Sequence, residues 1–179
     1  MDKHTRLLSI ILVLTASLAV SISAQHPIMP PGMTHEEHLA QLQKEADLKK
    51  RGEATMGFDQ DTSTHHFTLT SEGGRIDVAV NDPSNANGVG QIRMHLATIA
   101  GDFAEGNFGA PFATHGETPP GVSTLRAKRR MIRYEYEDTP HGGRVVIATS
   151  DGKARSAIHT FLRYQIREHA TGDPLTVPK

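Results

Sequence analysis

A repeated pattern in the second half of this 179-residue chain constrains its fold more than any other feature. Residues 67–80 alternate apolar and polar side chains around a Gly-Gly pair, and residues 134–149 do the same. Alternation of this kind is typical of half-buried strands, and each stretch is followed by apolar residues at helical spacing. The pattern predicts two strand-strand-helix units joined by a long loop. The units span 65–106 and 131–172, and the loop spans 106–125.

The predicted fold is α+β, because four short strands cannot close a barrel. An antiparallel four-stranded sheet with both helices on one face buries the apolar side of every element. Upstream, Thr34 and Glu37 have the spacing of a capping box, which predicts an N-terminal helix over 34–52. Leu39 and Leu42 give this helix a thin apolar stripe. One domain over 34–179 is therefore expected.

The first 24 residues have the pattern of a secretory signal peptide. Lys3 and Arg6 precede an apolar run at 7–20, and small residues at 21–24 suit a cleavage site. A membrane anchor is the alternative, but the run is shorter than the roughly 20 residues that span a bilayer. We expect a periplasmic or secreted protein with no membrane attachment after cleavage. A flexible leader rich in Pro, Met and His follows at 25–33.

Composition limits the choice of partners and ligands. The formal net charge is −1, so a strongly basic surface and a nucleic-acid partner are not expected. Cysteine is absent from the chain. Any metal site must therefore use histidine, methionine and carboxylate ligands.

Alignment of the two units reveals three exchanges between histidine and apolar residues. A buried imidazole needs hydrogen-bond partners, and each unsatisfied polar group costs roughly 1–3 kcal/mol. Two histidines in the first unit at positions that are apolar in the second therefore indicate a polar site in the core. The aligned pairs are His65 with Ile132, His95 with Phe161, and Phe103 with His169.

The predicted main site is a metal site for zinc or copper. His95 and either His65 or His66 contribute, depending on which of the two neighbours faces inward, and His115 reaches the site from the long loop. Three imidazoles suit zinc or copper(II) and can leave a coordination position open. Alternatively, each histidine bonds its own neighbour, or the site holds a small ligand. Asp59 or Asp61 could orient a ligating imidazole.

A second group of copper-type donors surrounds the start of the first helix. Imidazole and thioether are ligands that copper uses where thiolates are lacking. This group is a candidate copper site in the leader. Its members are His26, Met29, Met33, His35 and His38.

Common catalytic motifs are missing from the sequence. It contains no Gly-x-Ser-x-Gly elbow, no His-Glu-x-x-His pair, no P-loop and no dinucleotide fingerprint. The balance therefore favours a protein that is not an enzyme.

Several short motifs together give the chain a family resemblance. Met-Gly-Phe-Asp-Gln occurs at 56–60, Thr-His-His-Phe at 64–67, Thr-His-Gly at 114–116 with Pro-Pro-Gly at 119–121, and Phe-Leu-Arg-Tyr-Gln-Ile-Arg-Glu-His at 161–169. The chain resembles a small group of exported bacterial proteins of similar length, for which no activity is established. The resemblance covers nearly the whole mature chain and implies an exported domain without indicating a reaction.

Three functional hypotheses follow from the sequence. The first is an exported metal-binding domain that holds zinc or copper through histidines of the first unit and the long loop. The second is an interaction or structural module without metal, which binds a protein partner through the N-terminal helix or the sheet. The third is a metal-dependent hydrolase that activates a metal-bound water.

Overall fold

The computed structural model describes residues 31–178. The predicted signal peptide, most of the leader, and the candidate ligands His26 and Met29 lie outside the described residues. Within the described part, no helix is both long and apolar enough to cross a lipid bilayer.

Five α-helices and four strands make up the described chain, so the predicted α+β class is confirmed. A short 3₁₀ turn at Arg129–Met131 precedes the third strand. In chain order the elements are α1 (His35–Met56), β1 (Ser63–Thr70), β2 (Gly73–Val80), α2 (Ala86–Ala104), α3 (Gly109–His115), α4 (Val122–Ala127), β3 (Arg133–Thr139), β4 (Gly142–Ala148) and α5 (Gly152–Glu168).

The four strands form one antiparallel sheet in the order β1-β2-β4-β3, which confirms the predicted sheet. The central strands β2 and β4 pair with Ile76 opposite Val145, and both side chains are buried in the core. The helices cross over between the predicted units, because α5 packs on β1 and β2 whereas α2 packs mainly on β4 and β3. On the other face of the sheet, Asp77 pairs with Arg75 and Arg144.

Two glycines allow the central strands to approach closely. A Cβ at Gly73 would overlap the carbonyl oxygen of Ile147, and a Cβ at Gly142 would overlap that of Val78. A larger residue at either position would therefore push β2 and β4 apart. Gly73 also has a φ of 152°, which other residues rarely adopt.

Helix α1 extends over His35–Met56, past the end of the sequence prediction of 34–52. Thr34 Oγ1 accepts a hydrogen bond from the backbone N–H of Glu37 at 3.2 Å, and Glu37 accepts one from the backbone N–H of Thr34 at 2.8 Å, so the capping box is present. The helix continues past the predicted end at Gly52, which is buried inside it. It ends instead at Gly57, whose left-handed φ of 73° closes the last turn.

The thin apolar stripe of α1 is largely exposed. Leu39 is 51% exposed and Leu42 is 36% exposed, and the buried residues of the helix are Leu48 and Gly52. Polar contacts hold the helix to the rest of the fold. Arg51 Nε donates to the backbone carbonyl of Thr114 at 2.9 Å.

The segment predicted as a long loop contains two short helices, α3 and α4. Phe108, Val122 and Leu125 are buried there, so the segment contributes its own apolar side chains to the core. Left-handed glycines separate the two helices, with Gly116 ending α3 and Gly121 preceding α4. Sequence reasoning missed these helices because prolines and glycines dominate the local pattern.

Candidate functional site

Four histidine side chains line one cavity of about 60 Å³ between the sheet and the helices that cover it. They come from separate elements: β1, α2, the end of α3 and the residue that follows α5. A single water needs roughly 10–15 Å³ on such a measure, so the cavity has room for an ion or a very small molecule. We call this site the histidine pocket; its polar and sulfur-containing residues are His65, His95, His115, His169, Gln165, Thr114 and Met56.

Strand alternation decides between the two neighbouring histidines of β1. His65 faces the core together with Phe67 and lines the cavity. His66 points to the opposite face, where it is exposed and its Nδ1 lies 2.9 Å from Asp173 Oδ1. The structure therefore brings His65 into the pocket and leaves His66 out of it, contrary to the inclusion of His66 among the candidate ligands.

The ring of His169 neighbours those of two other histidines of the pocket. Its ring centre is 5.6 Å from that of His65, with the two planes 14° apart, and 5.1 Å from that of His115, with the planes 83° apart. His95 lies further along the wall, where its ring packs edge-on against Phe58 with the centres 5.6 Å apart. His65, His95 and His115 were predicted to lie together, and all three line this one cavity.

Sequence reasoning did not include His169 among the candidate ligands, although the alignment of the two units singled out its position. In the unit alignment His169 lies opposite Phe103, and it was treated as a residue of the second unit. The crossover of α5 onto β1 and β2 carries it to the first unit. The histidine-for-phenylalanine exchange was therefore the sequence signal for this residue. It could not be interpreted without knowing which helix covers which strands.

Several polar atoms of the pocket have no hydrogen-bond partner. His115 Nε2 lies 3.0 Å from Gln165 Oε1, so one nitrogen of this ring has a hydrogen-bond partner. The atoms His65 Nε2, His115 Nδ1 and Gln165 Nε2 are buried and have no partner among the described residues. A buried group that stays without a partner costs roughly 1–3 kcal/mol, so these atoms favour a polar occupant of the cavity.

Burial keeps the imidazoles of the pocket neutral. It lowers the pKa of His65 to about 4, with smaller contributions from His95 and His66. It likewise lowers the pKa of His95 to about 4, and that of His169 to about 3 with help from the neighbouring histidines. Burial also lowers the pKa of His115, although its bond to Gln165 opposes the shift. Neutral imidazoles have the free lone pairs that metal ions need.

The carboxylates expected to orient the histidines lie elsewhere. Asp61 pairs with Lys49 of α1, and Asp59 Oδ1 accepts the backbone N–H of Asp61 at 2.7 Å. Both residues therefore fix the turn between α1 and β1, and neither carboxylate is hydrogen-bonded to a described histidine of the pocket. None of the described side chains that line the cavity is a carboxylate.

The candidate copper site in the leader is only partly described. Met33 and His38 are half-buried, His35 is exposed, and His38 Nε2 is a buried atom without a partner in the described chain. Across residues 31–178, no group of three or more histidine, cysteine, aspartate or glutamate side chains is already arranged to hold a metal ion. This holds for the histidine pocket as well as for the described part of the leader.

A cluster of aromatic rings adjoins the inner wall of the pocket. Phe103 stacks on Phe108 with ring centres 4.4 Å apart and meets Tyr134 and Phe161 edge-on at 5.7 and 5.8 Å. We call these four residues the aromatic cluster. The space between them is too small for a water molecule.

No family model matches the chain, and neither a curated protein nor a solved structure is significantly similar to it. The chemistry of the site must therefore be inferred from the residues described above.

Proposed function

We propose that this chain is an exported domain that binds one transition-metal ion, zinc or copper, in the histidine pocket. The observation that carries the proposal is the convergence of four neutral imidazoles and three unpartnered polar atoms on one small cavity. An ion would give these atoms the partners that the protein itself does not supply. The exported location is supported by the signal-peptide pattern at 1–24.

The distances between the ring centres suit ligation of one shared ion. The orientations of the rings do not, because the rings must turn before their nitrogens can face that ion. An ion about 2.0–2.1 Å from each nitrogen holds two imidazole centres roughly 5 Å apart in a tetrahedral arrangement. The centres of His65 and His115 lie 5.6 and 5.1 Å from that of His169. Binding therefore requires at least that the rings turn until their nitrogens face one ion. Gln165 can release His115 Nε2 in the same step.

The pocket is best explained by a duplicated strand-strand-helix unit, which we propose as the origin of the fold. Asn85 and Asp151, which are equivalent in the alignment, both act as side-chain N-caps of the helices that follow. Gly73 and Gly142, also equivalent, lie against equivalent carbonyl groups of the opposite central strand. In this view the histidine pocket and the aromatic cluster occupy equivalent places in the two units.

The proposal is tested by metal binding to the protein secreted from its full-length gene and purified without a histidine tag. We expect about one equivalent of zinc or copper and a rise in the melting temperature when metal is added, because binding stabilises the native state. The matched variant replaces each histidine by the residue at the equivalent position: His65→Ile, His95→Phe and His169→Phe. It should fold and lose binding.

The control for that experiment is His141→Ala, since His141 is exposed in the turn between β3 and β4. This variant should bind as the parent does. The proposal is rejected if the parent binds less than about a tenth of an equivalent and melts at the same temperature with and without metal. It is also rejected if the triple variant folds and binds metal as well as the parent.

A second candidate function is a protein-binding module that uses α1. Leu39 and Leu42 on α1 and Phe112 on α3 are exposed apolar side chains on two helices that pack together. Binding of this kind would survive metal removal and would be lost in Leu39→Ser and Leu42→Ser. The hydrolase hypothesis has less support, because no described carboxylate lines the cavity to act as a general base.

A further inference from the structure

We infer that the histidine pocket favours a soft monovalent ion, copper(I), over the zinc dication. This inference rests on the proposed metal-binding function and concerns which ion the pocket selects. It follows from the charge, the donor atoms and the arrangement of the cavity wall.

The first argument concerns charge. The desolvation penalty of an ion in an apolar site rises with the square of its charge, so a buried dication needs anionic ligands far more than a monocation does. The described lining of the cavity holds no carboxylate. The nearby acids are engaged outside the cavity, where Glu168 pairs with Lys44 at 3.0 Å and Glu117 accepts the hydroxyl of Tyr164 at 2.7 Å.

The second argument concerns the donor atoms. Met56, the last residue of α1, lines the cavity together with the four histidines. A thioether is a soft ligand that selects copper(I), whereas zinc sites are built from thiolate, imidazole and carboxylate. Gly57 terminates the helix immediately after Met56 and fixes the position from which this side chain enters the wall.

The third argument concerns the number of ligands. Structural zinc sites are almost always tetrahedral with four protein ligands. In the described chain no three histidine, cysteine or acidic side chains are arranged to hold a metal ion. Copper(I) is stable with fewer donors than the four of a structural zinc site, so it needs the smaller rearrangement. His65 and His169, whose ring centres lie 5.6 Å apart, line the same cavity as the Met56 thioether.

The inference is tested by measuring the affinities of the full chain for zinc and for copper(I), with the copper kept reduced by ascorbate under argon. Silver(I) serves as a second probe of the same soft, monovalent type. The informative variant is Met56→Leu, which keeps the side-chain volume, and its matched control is Met94→Leu at a position that is 68% exposed. Melting temperatures without metal establish that both variants fold.

We expect the parent to bind copper(I) and silver(I) more tightly than zinc. Met56→Leu should weaken copper(I) binding about tenfold or more, while zinc binding stays unchanged. The X-ray absorption spectrum of the copper(I) protein should contain a sulfur neighbour that disappears in Met56→Leu and persists in Met94→Leu.

The two proposals fail in different ways. Equal or tighter binding of zinc, or copper(I) binding that is the same in Met56→Leu and the parent, overturns the preference for copper(I) and leaves metal binding intact. Absence of binding for all three ions overturns the proposed function itself.

Discussion

The histidine pocket and the aromatic cluster lie side by side under the same sheet, yet they are built in opposite ways. The aromatic cluster fills its space with rings as close as 4.4 Å and leaves no room for water. The histidine pocket keeps a cavity of about 60 Å³ and three unpartnered polar atoms around it. Among the described residues of the aromatic cluster, only the hydroxyl of Tyr134 is a buried polar atom without a hydrogen-bond partner.

The comparison separates what the fold needs from what the proposed metal site needs. The aromatic cluster gains stability from close packing, as any core does. The histidine pocket occupies the equivalent place in the proposed duplication but gives up that stability for imidazoles that stay neutral and partly unpaired. Polar groups that lower stability in a core are a common mark of a functional site.

The largest expected effect on stability comes from placing a histidine in the aromatic cluster. Phe103→His should lower the free energy of unfolding by about 3–5 kcal/mol, because it removes a fully buried ring and leaves polar nitrogens without partners. Urea denaturation at pH 7.5 measures this loss. A loss below about 1 kcal/mol would mean that the two regions tolerate histidine equally, and the comparison would fail.

The next effect is a loss of stability in acid that comes from the histidine pocket. Because folding lowers the pKa of His65 and His95 to about 4, both states are neutral above pH 6.5, and only the unfolded state takes up protons just below it. The free energy of unfolding should therefore fall by about 3 kcal/mol or more between pH 6.5 and pH 4. The decline should continue to about pH 3, where His169 also takes up a proton in the folded state. Urea titrations of the metal-free protein across this range measure the decline.

The same titrations on the His65→Ile, His95→Phe, His169→Phe variant provide the control. Its stability should change much less between pH 6.5 and pH 4, since three of the four histidines of the pocket are gone and His115 alone remains. An equal decline in the variant and the parent would assign the acid sensitivity to other residues.

The smallest expected effect on stability comes from replacing a histidine of the pocket by phenylalanine. His169→Phe should raise the free energy of unfolding by about 1–2 kcal/mol, because an apolar ring replaces a buried polar one that faces Phe67 at 5.6 Å. Thermal and urea denaturation measure the gain. His66→Ala, on the exposed face, should change stability by less than about 1 kcal/mol. A destabilised His169→Phe would mean that the imidazole is needed for structure.

Much of the fold followed from the sequence, because its signals are local. The capping box at Thr34 and the alternation around the Gly-Gly pairs depend only on neighbouring residues, and they predicted the start of α1 and the antiparallel sheet. Helix α1 ended later than expected because burial of Gly52 inside the helix depends on tertiary contacts. The same holds for α3 and α4, whose buried side chains outweigh a local pattern rich in proline and glycine.

The site was predicted only in part, because its assembly depends on topology. The exchanges at His65 and His95 were visible by alignment, and both residues line the cavity. Which of His65 and His66 faces inward depended on which face of the sheet the helices cover. The role of His169 depended on the crossover of α5 onto β1, which no local pattern encodes.

The most direct test of the account is nitrogen NMR of the histidine rings during addition of one equivalent of copper(I) or zinc. We expect the ring nitrogens of His65, His115 and His169 to shift together and saturate at one equivalent, while those of His66 and His141 stay unchanged. Shifts confined to exposed histidines, or none at all, would contradict a metal site in the histidine pocket.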